Sequence, residues 1–234
     1  MNVLSRKLFF TFILIFSPTF VLHSKAEGKR FISLCNVIRF NAEGFDEEKI
    51  KASTDADACR RWKTSKSPLL IVDLQILSTD GKEQPSQLLN THLYIGKDQT
   101  DPPGPIYDFV KYRRSSGKYY FDRNRFLYAV NEWPVYQRKM SKLLEQSGIE
   151  SIEPTANIRH WKNRDGDIVS CEIIYKSSVA QDEYLEKSFS FFRKNKLSAS
   201  YKSPLIKVND KMANDNLNAI ENLFRSIKLK KIKN

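Results

Sequence analysis

Apolar residues recur at every second position in several short stretches of this chain, and that period dictates strands before anything else is considered. In Leu69–Leu77, Leu70, Val72, Leu74 and Ile76 share one face while Asp73 and Gln75 interrupt the other. Such alternation predicts an antiparallel sheet covered on one side. Thr79-Asp80-Gly81-Lys82 supplies a turn toward a second strand at Leu89–Ile95, and Phe31–Phe40 reads as one further strand. Three hairpins follow. Ile106–Arg114 and Lys118–Phe121 join around Ser115-Ser116-Gly117, Ile158–Trp161 and Ile168–Tyr175 around Asn163 to Asp167, and Lys187–Phe192 and Leu197–Tyr201 around Asn195.

Helical spacing is confined to fewer places. A modest helix starts at Asp46-Glu47-Glu48, whose acids complement the helix dipole, and runs to about Cys59. The clearest helix spans Glu132–Ser147: Asn131 can cap it, Pro134 is tolerated in its first turn, and Gly148 can end it. Tyr136, Met140, Leu143 and Leu144 form its apolar stripe. A last helix, Asp215–Leu229, carries Leu217, Ile220, Phe224 and Ile227 on one face. The expected fold is therefore α+β, a largely antiparallel sheet of hairpins packed by two amphipathic helices. Asp101-Pro102-Pro103-Gly104-Pro105 reads as a stiff connector inside a single domain covering residues 27–234. Arg60-Arg61-Trp62-Lys63 and Arg159-His160-Trp161-Lys162 echo one another, too briefly to define a repeat.

The first 26 residues follow another logic. Arg6 and Lys7 precede an apolar run from Leu8 to Leu22, interrupted by Pro18, and Ser24-Lys25-Ala26 places small residues at a cleavage site. This is the layout of a cleaved secretory signal, its run too short for a helix that must span a bilayer with about 20 residues. Export to a periplasm or beyond the cell is the expected localisation. Without Arg6, Lys7 and Lys25 the formal charge falls from +12 to +9. An exported basic protein is expected to meet anionic lipid, lipopolysaccharide, a cell-wall polymer or a protein partner, and not nucleic acid. Cys35, Cys59 and Cys171 permit one disulfide and leave one thiol over. Cys35 with Cys59 is the expected pair, being close in sequence, and Cys171 is read as a core thiol on a strand.

Signatures of catalysis are sparse. No Gly-x-Ser-x-Gly, Cys-x-x-Cys, His-Glu-x-x-His or glycine-rich phosphate loop is present, and Asp165-Gly166-Asp167 lacks the downstream ligands of a calcium loop. No metal or cofactor is expected. An alternative reading is an exported hydrolase of cell-wall glycans or esters that would use Asp73 and Glu172 as paired carboxylates, or His160 with Cys171. The segment that stands out mixes cations and rings: Tyr112, Arg113, Arg114, Lys118, Tyr119, Arg123 and Arg125. Guanidinium groups fork onto phosphate or carboxylate while rings stack on sugars or lie at a lipid interface. These seven residues are the candidate ligand-binding surface of a non-enzymatic binding or accessory protein.

Overall fold

A computed structural model describes residues 30–65, 69–77, 91–97, 109–147, 154–176, 182–193 and 197–230. The leader, the Thr79–Lys82 turn, the prolines of 101–105, Asn195 and Gly148 lie outside the described residues. The fold is α+β, and its strands pair antiparallel. Strands β3 (Leu69–Leu74), β4 (Thr91–Lys97), β7 (Thr155–Lys162), β8 (Asp167–Lys176), β9 (Glu183–Arg193) and β10 (Leu197–Lys202) form the main sheet in the order β3-β4-β10-β9-β8-β7. Short β11 (Ile206–Lys207) pairs with β9. A small sheet of β1 (Phe31–Leu34), β2 (Ile38–Asn41) and β12 (Lys228–Leu229) and an isolated hairpin of β5 (Val110–Arg113) and β6 (Lys118–Phe121) complete the strands.

Two apolar cores lie on opposite faces of the main sheet. On one face Leu70, Val72, Leu93, Ile95, Phe189, Phe191 and Ala199 meet the small sheet and three helices. These are α1 (Glu47–Ala52), α2 (Ala56–Thr64) and α5 (Lys211–Ser226). Phe224 of α5 stacks on Phe189 with ring centroids 5.5 Å apart. The second core forms under the β5–β6 hairpin, α3 (Arg123–Glu132) and α4 (Pro134–Ser147), where Phe109, Phe126 and Met140 pack with Val169, Cys171, Ile173 and Tyr175 of β8. Strand β8 is thus buried on both faces, whereas Leu69 and Ile71 of β3 leave theirs about half exposed. The expectation of a sheet covered on one side holds at β3 and fails in the middle of the sheet.

Several boundaries differ from the sequence expectation, each for a local reason. Phe31–Phe40 is two strands because Cys35 and Asn36 turn the chain with φ of 48° and 59°, a left-handed conformation that asparagine tolerates better than most residues. The 46–59 helix is also split. The Asp46 side chain accepts from the Glu48 and Lys49 amides, and Asp55 caps a second helix by accepting from Ala58. Arg123–Glu132, whose Arg123 and Arg125 read in sequence only as part of a segment mixing cations and rings, is a helix capped by Asp122. It ends at Trp133, whose extended backbone (ψ 115°) precedes Pro134, so the Glu132–Ser147 helix begins two residues later than expected. Asn131 lies inside α3 and caps nothing at α4. The last helix is displaced toward the N-terminus: Asp210 caps it at Ala213, it stops at Ser226, and Lys228–Leu229 becomes a strand beside β2. Five helices pack the sheets among the described residues, the two expected amphipathic helices among them. The two basic-tryptophan echoes fall on a helix (α2) and a strand (β7), which excludes a structural repeat there.

Cys35 and Cys59 are joined by a disulfide that ties the β1–β2 turn to α2. Gly166, in the β7–β8 turn, has no room for a side chain: a Cβ there would lie 2.6 Å from the Phe192 carbonyl oxygen. Among the described residues no helix is long and apolar enough to cross a membrane.

Candidate functional site

The β5–β6 hairpin sorts the cation-rich segment into two faces. Cross-strand pairs Val110–Phe121 and Tyr112–Tyr119 alternate with Lys111–Tyr120 and Arg113–Lys118. Strand alternation sends the first set inward and the second outward. Val110 is buried in the second core, with Tyr119 and Phe121 packed against it. Tyr119 is half-buried: it lies 5.0 Å from Tyr112, 5.1 Å from His160 and 6.3 Å from Phe192, centroid to centroid. Burial, with the negative charge of Asp167 and the neighbouring Tyr112, pushes its hydroxyl up to about 12. Tyr119 therefore anchors the hairpin and is not an exposed ligand contact.

The outward face is different in kind. Arg113 and Lys118 are exposed, Lys111 is partly so, and the Arg113 guanidinium lies 4.9 Å from the centre of the Tyr120 ring. Arg114 follows in the turn, which Gly117 closes with a φ of 62°. None of Lys111, Arg113, Arg114 and Lys118 forms an ion pair among the described residues. Four cations thus crowd a short hairpin with no ion-pair partner among the described residues. Of the seven residues expected from sequence, Arg113 and Lys118 belong to this face, and Arg114 is exposed in the adjoining turn. Tyr112, half exposed, and Tyr119 belong to the anchoring face, and Arg123 and Arg125 sit in the first turn of α3, at the base of the hairpin and about 10 Å along β6 from Lys118. Lys111 and Tyr120 join the outward face; their alternate positions in a strand were the signal that places them there.

The residues proposed for hydrolysis do not converge. Asp73 bonds His92 Nδ1 at 2.7 Å on the exposed face of β3 and β4. Glu172 lies on the opposite face of the sheet, four strands away, or roughly 19 Å at the usual strand spacing. There it meets Lys187 Nζ at 3.5 Å, and Lys187 also reaches Glu221 of α5 at 3.2 Å. Cys171 and His160 are diagonal neighbours across β7 and β8. The imidazole, however, bonds Asp167 at 2.8 Å, the diagonal neighbour on the other side. Cys171 is buried, and burial together with Glu186 and Glu172 pushes its thiol up to about 12, the opposite of what a nucleophile requires.

One further ionic cluster lies under α4. Glu186 of β9 accepts from Lys139 and, at 2.9 Å, pairs with Lys202 of β10. Burial would raise the Glu186 carboxyl, but the two ammonium groups outweigh it and hold the group below its ordinary value. Burial brings Lys139 down to about 8, the like charge of Lys202 adding to the effect and Glu186 opposing it. The cavity beside this cluster, lined by Phe109, Tyr136, Cys171 and Lys202, measures about 10 Å³. That is room for one water and no substrate. Among the described residues no three His, Cys, Asp or Glu side chains are placed to hold a metal ion.

No protein-family model matches this chain, and no match is found among curated proteins or among solved structures.

Proposed function

We propose that this is an exported, non-enzymatic binding protein, periplasmic or secreted, that docks on an anionic envelope component through the outward face of the β5–β6 hairpin. The observation that carries the reading is the concentration of Lys111, Arg113 and Lys118 on the Tyr120 face of the hairpin, with Arg114 exposed in its turn, and no ion-pair partner for any of the four among the described residues. A cation near an anionic bilayer contributes about 1 kcal/mol, so four together favour association by roughly 4 kcal/mol, a factor of about a thousand. The face is a hairpin surface and not a pocket, which suits an extended polyanion better than a small molecule. Export is supported by the signal-like leader and by a Cys35–Cys59 disulfide, a bond that persists in oxidising compartments.

The test is binding to phosphatidylglycerol vesicles, with phosphatidylcholine vesicles as the neutral control, across a salt series. Binding to the anionic vesicles that weakens steeply with salt is expected. Equal binding to both vesicle types, or none to either, would contradict the reading and turn attention to a protein partner.

A further inference from the structure

Beside the hairpin, the β7–β8 turn and the end of β9 enclose an open depression of about 230 Å³, lined by Lys162, Arg164, Asp165, Asp167, Phe192 and Arg193 along with the turn backbone. It adjoins the hairpin through shared side chains. Phe192 and Asp167, which line it, are respectively a ring neighbour of Tyr119 and the charge felt by the Tyr119 hydroxyl, and Lys118 is the next residue along the chain. Residues some fifty positions apart in sequence therefore lie side by side.

The charges in the depression differ from those on the hairpin. Three cations, Lys162, Arg164 and Arg193, face two carboxylates, Asp165 and Asp167, leaving one net positive charge. Arg193 approaches Asp165 at only 3.9 Å, and Asp167 is engaged by His160. Lys162 and Arg164 are exposed and form no ion pair among the described residues. The turn itself is held rigidly. Asn163 Oδ1 accepts from the amides of Asp165 and Gly166 at 2.8 Å, and the tight approach of Gly166 to Phe192 fixes the floor. A polyanion would engage the cations but offer the two carboxylates no donor, and a neutral sugar would leave the cations unused. A ligand with one anionic group and several hydroxyls satisfies both sets, since carboxylates accept from hydroxyls while guanidinium and ammonium donate to phosphate. The half-buried Phe192 ring offers an apolar wall for the carbon face of a sugar.

We infer that this depression is a binding site for a phosphorylated sugar, adjoining the inward, Tyr119 side of the hairpin. Lys162 and Arg164 hold the phosphate, and Asp165 orients the hydroxyls. The inference stands on the depression's own residues and goes beyond the hairpin reading.

The experiment is calorimetric titration of the protein with glucose 6-phosphate, with glucose and inorganic phosphate titrated separately and phosphatidylglycerol vesicles as a fourth arm. Glucose 6-phosphate is expected to bind saturably and about tenfold or more tightly than either half of it. K162E/R164E should lose about tenfold in that affinity while keeping its thermal midpoint and most of its vesicle binding. R164Q, which removes the fork without reversing charge, should show a smaller loss in the same direction. D165N should narrow the difference between glucose 6-phosphate and inorganic phosphate. Equal affinity for these two ligands in the native protein, or unchanged affinity in K162E/R164E, would overturn the site and leave the hairpin reading standing. Intact glucose 6-phosphate binding without vesicle binding would instead overturn the hairpin reading and retain the site.

Discussion

Tyr119 meets His160 edge-on, ring centroids 5.1 Å apart with the planes at 72°, and this contact joins an isolated two-stranded hairpin to the outer strand of the main sheet. A two-stranded hairpin is marginal by itself and needs packing to hold its shape. Tyr119, with Tyr112, Phe192 and the Asp167-bonded imidazole around it, supplies that packing, so the outward cations inherit a fixed geometry from an inward ring.

Tyr119→Ala should cost roughly 2 kcal/mol, from lost apolar burial and ring contacts, and should weaken vesicle binding without removing a charge. Chemical denaturation and flotation of the same variant measure the two effects. Tyr119→Phe keeps the ring and probes pH alone. The folded hydroxyl titrates near 12 against about 10 for an ordinary phenol, so folding is favoured below pH 10 and that contribution is lost as pH rises through 12. The Phe variant should lack this part of the alkaline decline, read as the thermal midpoint against pH.

Glu186 is buried between Lys139 and Lys202. Glu186→Gln leaves two lysines facing a neutral amide in a buried site, and about 3 kcal/mol of destabilisation is expected from denaturant titration. The carboxyl is held below its ordinary value, so its contribution is complete above the unfolded value of 4.5 and fades as pH falls through the lower folded one. Lys139 runs the other way. Its amine is depressed to about 8, so stability rises as pH climbs from about 8 toward the unfolded 10.5. Lys139→Met should flatten that alkaline rise.

The Cys35–Cys59 bond closes a loop of 24 residues, worth roughly 3 kcal/mol in the chain-entropy picture. C35S/C59S should lower stability by that order, and reduction of the native protein should reproduce the loss. Cys171, buried with its thiol pushed up, should react with iodoacetamide only after unfolding, as mass spectrometry of the native and denatured protein would show.

Much of this architecture is legible in the sequence where side-chain alternation is clean. Leu70, Val72 and Leu74 occupy the buried face, the 155–176 and 183–202 segments pair as hairpins, and Leu217, Ile220, Phe224 and Ile227 form the inward stripe near the C-terminus. The disulfide follows from the proximity of two cysteines in sequence. Other features depend on contacts that no local pattern encodes. Helix α3 is hidden because Arg123, Arg125 and Tyr128 read as a continuation of the basic hairpin, although Asp122 caps it and Pro134 enforces its end. The β1–β2 turn is made by Cys35 and Asn36 without glycine. The charges of Asp73 and Glu172 are visible in sequence, but only the strand order and the pairing registers reveal that they lie four strands apart on opposite faces of the sheet. The candidate surface was legible as composition. Its division into an anchoring Tyr119 and an outward Lys111, Arg113, Lys118 and Tyr120 required the register of the hairpin.

The most direct test of the account is flotation of the native protein and of K111E/R113E/R114E/K118E with phosphatidylglycerol vesicles at low and physiological salt. Salt-sensitive binding of the native protein is expected, with a loss of about a thousandfold or more in the variant and little change in thermal midpoint, because these cations break no ion pair among the described residues and only Arg113 leaves a ring contact, on exposed Tyr120. Undiminished vesicle binding by the charge-reversed protein would contradict the account.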